Sequence, residues 1–191
     1  NKHKTIMRTH KTEGIVLRRR NLGEADRILT ILTKNNGKIQ VKAPGVRKIT
    51  SRRSPHVELL NFSELTLYTA RISSNFLPTL TEARTIEDFS MIKDDLGKIG
   101  YAYYICELTS GLCPEHQENG EVFFLLKATL HKLCDNYDSK KVIKDFEREI
   151  LSNLGFWSES NLLRTHDSNE IIERILEKKL KTSRLLPLFI S

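Results

Sequence analysis

The sequence predicts an α+β chain, with a five-stranded β-barrel first and an all-helical domain second. Three observations carry this. Residues 12–86 run at strand spacing, with turn residues between the runs. From residue 92 the apolar period becomes helical. Charge divides in the same sense: residues 1–53 hold 15 Lys and Arg against 3 Asp and Glu, a net +12, and the rest carries −5 of the total +7. The expected boundaries are an N-terminal extension over 1–11, the barrel over 12–88 and the helical domain over 89–191.

The first strand is "TEGIVLRRR", with Ile15, Val16 and Leu17 ahead of three arginines. The second, "ADRILTILTK", is apolar on both parities: Ile28 and Leu32 on one, Leu29 and Ile31 on the other. Both of its faces should be buried. Asn36-Gly37 is a strong hairpin signal. "KIQVKAP" alternates, with Ile39, Val41 and Ala43 inward and Gln40 and Lys42 outward, and Pro44-Gly45 ends it. "HVELLNFSELTLYTA" alternates with a drift in parity, which places a bulge near Asn61. "ISSNFLPTLTEARTI" is the fifth strand, and Pro78 favours an edge or a bulge there. Five strands with short turns and one long basic loop suit an OB-fold, a small Greek-key barrel.

In the second half, "IKDDLGKIGYAYYICELTSGLC" is apolar around much of its girth and should be central. Leu96, Ile99, Tyr103 and Cys106 share one stripe. Asp94-Asp95 sits at its start, where acids complement the helix dipole. Core packing is expected of Tyr103, and a partner-facing groove is conceivable at Tyr101 and Tyr104. The next helix spaces Phe123, Leu126, Leu130 and Leu133, with Asn119 or Glu118 as its cap. Another spaces Val142, Phe146, Ile150 and Leu154 and stops at Gly155. The last holds Ile172, Ile175 and Leu176, with Ser168 as its N-cap. "WSESNLLRTHDS", residues 157–168, reads as a loop.

Several function classes find little support. No apolar run approaches the roughly 20 residues that span a bilayer, and the N-terminus lacks a signal-peptide centre, so a cytoplasmic protein is expected. Met7 is a candidate start. Cys106, Cys113 and Cys134 are widely spaced, and buried free thiols are expected. "CPEH" is the nearest approach to a metal pattern, but no metal or cofactor is expected. No histidine lies in a catalytic motif, and P-loop, GxGxxG and GxSxG patterns are absent. Glu24 and Asp26 are read as partners for Arg27 or a nearby arginine that fix the start of the second strand. The chain is expected not to be an enzyme.

The sharpest feature is "VKAPGVRKITSRRSP", residues 41–55, with Lys42, Arg47, Lys48, Arg52 and Arg53 and no acid. It interrupts a barrel, where binding loops sit, and Arg suits bidentate phosphate contact. Arg19, Arg20 and Lys38 could extend the patch. The barrel half holds only three aromatics, Phe62, Tyr68 and Phe76, which favours backbone contact over base stacking. With about five phosphates neutralised, the log–log salt slope on a single strand should be about −3.5. Should the loop prove merely solvated, Arg18, Arg19, Arg20 and the helical half are the next place to look.

The run from "EGIVL" through "GEADRILTILT", "APGVRKITSR" and "ELTLY" resembles the N-terminal half of the bacterial DNA-repair family RecO. "TLTEARTIEDF" continues the match, and "YAYYICEL", "LCPEHQEN", "FEREILSNLGF" and "LEKKLKTSRLL" are similar more loosely. The resemblance implies an OB-fold followed by a helical domain. It also implies binding to single- and double-stranded DNA, annealing of complementary strands, and work with RecR and the C-terminal tail of the single-stranded DNA-binding protein to help RecA filaments load. On the nucleic-acid side it carries DNA contact onto Lys42, Arg47, Lys48, Arg52 and Arg53. Many members follow "LGF" with a four-cysteine zinc module. Here "LGFWSESNLLRTHDS" passes quickly to the last helix, so a compact form without that module is expected. The rival reading is an RNA- or ribosome-associated OB-fold protein.

Overall fold

The structure, a computed structural model, describes residues 8–69, 77–135, 137–156 and 168–176. Five strands come first: β1 (Arg8–Leu22), β2 (Asp26–Thr33), β3 (Gly37–Ala43), β4 (Phe62–Thr69) and β5 (Thr79–Glu87). A single 3-10 turn, Ser54–Val57, lies in the long loop between β3 and β4. Helices follow: α1 (Ser90–Lys93), α2 (Leu96–Leu112), α3 (Gly120–Cys134), α4 (Ser139–Asn153) and α5 (Ser168–Leu176).

The strands close into a barrel in the order β1-β2-β3-β5-β4. All pairings are antiparallel except β3 with β5, which meet in parallel at Lys42 and Thr79. This is the OB-fold order. β1 starts at Arg8, ahead of the residue 12 expected, and it pairs with β4 along its first half and β2 along its second. A polar, exposed lead-in hides that strand from any periodicity argument. The bulge expected near Asn61 is present, and the parity drift before it has a second cause. "HVELL" is not strand at all: Val57 and Leu60 are buried from the loop, and Leu60 takes a positive φ of 72°. The register shift lies just beyond, between Phe62 and Ser63. Residues 72–76 of the expected fifth strand lie outside the described residues.

The two faces of β2 serve two cores. Leu29 and Ile31 point into the barrel with Ile39, Val41, Leu65, Leu67 and Leu80. Leu32 faces outward and joins Ile15, Leu17, Leu60 and Phe62 in one apolar cluster with α1 to α5. Phe62 meets Phe123 of α3 edge-on at 5.9 Å. Barrel and helices are therefore welded by a shared core.

A second seam joins them. Gly37 takes φ +65°, and a Cβ there would stand 1.9 Å from the Gln117 carbonyl oxygen. The α2–α3 connection lies flat against β3: Lys38 bridges Glu115 in parallel, and the His116 amide donates to the Lys38 carbonyl at 2.9 Å. The "CPEH" segment thus has a structural job. The turn before β3 is Lys34–Asn36, closed by the Thr33 hydroxyl donating to the Gly37 carbonyl at 2.7 Å, rather than a two-residue Asn36-Gly37 turn.

Helix ends follow the sequence signals. Asp95, Asn119 and Asp138 accept backbone amides as N-caps. Gly155 takes φ +75° just past α4. α2 corrects the tyrosine assignment. Tyr101 and Tyr104 are buried and Tyr103 is the exposed one, as is Leu96. On a helix apolar all round, the barrel, α3 and α4 choose the buried face, not the spacing. The Tyr104 hydroxyl donates to Glu147 at 2.6 Å, and the Ser168 hydroxyl binds the other oxygen of that carboxylate instead of simply capping α5.

Candidate nucleic-acid interface

The basic loop is a stack of tight turns rather than a floppy arm. The Lys48 amide donates to the Gly45 carbonyl at 3.1 Å, Ser51 to Lys48 at 2.9 Å, and Ser54 to Ser51 at 3.4 Å. Gly45 takes φ +65°, which a side chain would resist.

Four residues tie this stack to the barrel. Asp26 accepts the Gly45 amide at 2.8 Å and pairs with Lys42 at 3.4 Å. The Gly45 bond, and less so Lys42, holds the Asp26 carboxyl below the usual carboxylate range against the opposing pull of desolvation. Arg47 donates its backbone amide to the Ala25 carbonyl at 2.9 Å and its guanidinium to the Gly23 carbonyl, also at 2.9 Å. Arg53 reaches both the Pro44 and Leu80 carbonyls at 2.6 Å. His56 accepts the Thr85 amide at 3.3 Å through Nδ1.

The expected acidic partner for the strand start is therefore Asp26, and its cation is Lys42 rather than an arginine. Arg27 pairs instead with Glu58 at 3.6 Å, and Arg19 pairs with the same carboxylate. The reason lies in β1. Its pairing with β2 slips between Val16 and Arg18, a bulge at Leu17. Arg18 and Arg20 then stand opposite Thr30 and Ile28 on the outer face, and Arg19 stands opposite Leu29, on the barrel-interior parity. Arg19 closes the barrel end through Glu58. Burial pushes the neighbouring Lys93 ammonium down, against Asp88 and Glu58, and it donates to the Asn61 side-chain carbonyl at 2.5 Å.

The eight candidate cations separate accordingly. Lys38 is 8% exposed, and its ammonium donates to the Ser110 carbonyl at 2.6 Å. It sits at the opposite end of β3 from Lys42. Arg19 and Arg53 are committed to internal partners. Arg20, Arg47, Lys48 and Arg52 are exposed, and Lys42 is half-buried in its pair. Arg18, the fallback candidate of the sequence, is exposed beside Arg20 and belongs to the same group, and the register of the bulge is what separates both from Arg19. A row Arg20–Ile28–Lys42 crosses β1, β2 and β3 on the outer face. The loop continues that face through Arg47, which touches the β1–β2 turn. An open groove of about 960 Å³ runs between Lys48, Arg52 and Arg53 on the loop and Thr81 and Glu82 on β5. This assembly offers several exposed cations that can neutralise phosphates. No group of three or more His, Cys, Asp or Glu among the described residues could hold a metal ion.

Comparison with known proteins places the chain in a family. Residues 7–89 match the family "Recombination protein O N terminal", and residues 93–159 match "Recombination protein O C terminal". The chain belongs to the recombination protein O family. Relatives named DNA repair protein RecO include that of Dehalococcoides mccartyi, 38% identical over 146 residues, which are 76% of this chain and 56% of the relative. That of Pelotomaculum thermopropionicum is 35% identical over 150 residues, 78% of this chain and 57% of the relative. That of Symbiobacterium thermophilum is 33% identical over 151 residues, 78% and 58% respectively. The chain spans a little over half the length of these RecO relatives. The match to the C-terminal family model ends at residue 159, ahead of the similarity read in "LEKKLKTSRLL". Residues 177–186 of that run, and residues 157–167 of the loop expected over 157–168, lie outside the described residues, and Ser168 opens α5. No helix among the described residues is long and apolar enough to cross a membrane.

Proposed function

We propose that this protein is a non-enzymatic DNA-binding mediator that grips phosphate backbones and brings complementary strands together. The observation that supports it is the set of exposed cations Arg18, Arg20, Arg47, Lys48 and Arg52, on β1 and on a loop braced to the barrel by Asp26 and Arg53. Two single strands repel each other through their phosphates. A surface that neutralises several phosphates on each lowers that repulsion and leaves the bases free to pair. Backbone contact without stacking rings makes the grip weakly sequence-specific. Single and double strands are both substrates in this reading.

The partners proposed with it are RecR, the C-terminal tail of the single-stranded DNA-binding protein and, indirectly, the RecA filament, in the cytoplasm at the nucleoid. That part rests on family membership rather than on any geometry. The deciding experiment is anisotropy of a labelled single-stranded oligonucleotide across a salt series, with annealing read in parallel. About five contacts give a log–log slope near −3.5, and Lys48→Ala/Arg52→Ala or Arg18→Ala/Arg20→Ala should each flatten it by about 1.4. Unchanged slopes and annealing in both variants, or tighter binding to structured RNA than to single-stranded DNA, would overturn the reading.

A further inference from the structure

Ile49 sits at the tip of the basic loop and is 104% exposed, as bare as an isolated residue. Among the described residues, the next most exposed large apolar side chains are Leu96 at 66% and Met91 at 63%, each on a helix surface that shields part of it. A lone exposed isoleucine needs no explanation on an ordinary surface. Ile49 is not on one. It occupies a corner of the turn closed by the Ser51 amide on the Lys48 carbonyl at 2.9 Å. Lys48 precedes it and Arg52 follows, both exposed and without an ion pair among the described residues. The turn stands on the Asp26–Gly45 bond and the two Arg53 bonds, so the side chain is held out rather than free to fold back.

We propose that Ile49 is an apolar wedge that enters between neighbouring bases when the turn seats on the backbone. The proposal rests on the phosphate-gripping reading above. Nucleic acid offers one apolar surface next to its phosphates, the base faces, and branched aliphatic side chains flanked by cations open base steps in this way. Lys48 and Arg52 bind phosphates to either side of the step. Ile49 then fills the gap between two bases and recovers the burial it lacks in the free protein. The effect is to splay a stacked strand locally, so that its bases are presented singly for pairing.

The test uses the full chain and a single-stranded oligonucleotide carrying a fluorescent adenine analogue, aminopurine, whose emission rises on unstacking. At saturating protein the wild type should brighten the probe. Ile49→Ala should lose most of that rise while keeping the salt slope within about 0.7, one phosphate, of the wild type. Ile49→Phe should restore it. Equal brightening by the wild type and Ile49→Ala at equal occupancy overturns the wedge and leaves the phosphate grip intact. A slope that Lys48→Ala/Arg52→Ala fails to change removes the grip from this turn, and the wedge with it.

Discussion

Asp26 and Gly45 are 19 residues apart in sequence, and one hydrogen bond of 2.8 Å between them sets where the basic loop leaves the barrel. The carboxylate accepts the amide of a glycine in a left-handed conformation, so the loop's first turn is fixed by geometry as well as by charge. The bond also makes the loop sensitive to acid.

Asp26 has a lower pKa folded than unfolded. Its contribution is present above the ordinary Asp value of about 3.9 and is lost as pH falls through the lowered folded value. Asp26→Asn should therefore flatten the acid limb of a melting-temperature profile. It should also speed amide exchange at Gly45 at neutral pH. An unchanged exchange rate would mean that the turn holds without the carboxylate.

Neighbouring arginines should behave in opposite ways. Arg53→Ala removes two hydrogen bonds from a charged donor and should cost about 2 kcal/mol in denaturant unfolding. Arg52→Ala should leave stability within about 0.5 kcal/mol, as exposed substitutions do. Its effect should appear as a salt slope flatter by about 0.7. Running the two variants side by side separates brace from contact.

Gly37→Ala is expected to cost more than about 3 kcal/mol, combining left-handed strain of about 1–2 kcal/mol with a backbone collision. Gly23→Ala, also at positive φ but with open space around it, should cost only the strain. The difference between the two, read from urea midpoints, measures how tightly the Gln117 segment lies on β3.

Thiol chemistry offers an independent check on the core. Burial pushes Cys106 up to about 12 and Cys113 up to about 11. Cys134 is only partly buried, and its pKa is raised chiefly by desolvation. At pH 8 a thiol reagent should label Cys134 first, and the other two should wait for unfolding. Prompt labelling of all three would contradict the packing of α2.

Much of this was legible in the residues. The two-sided burial of β2 followed from Ile28 to Leu32 being apolar on both parities, and the inward set of β3 followed from strict alternation. Local signals sufficed there. The tyrosines of α2 were not legible, because a helix apolar all round carries no marker of its buried side. The fate of the three arginines was also hidden. A one-residue bulge at Leu17 decides which of them faces solvent, and bulges depend on the partner strand. Lys38 looked like part of the patch because its partner, the Ser110 carbonyl, lies 72 residues away in sequence. Charge counting found the basic surface, and tertiary contacts decided which charges remain on it.

The shared core has a practical corollary for anyone who would dissect the molecule. Ile15, Leu17, Leu32 and Phe62 look outward from the barrel, into an apolar cluster built largely by the helices. A fragment trimmed at residue 89 would keep a complete ring of strands and yet wear an oily flank along one side. Such a piece should stick to itself and to hydrophobic dyes, and its sedimentation should grow heavier with concentration. The barrel half of this chain is, in that sense, a picture that needs its frame.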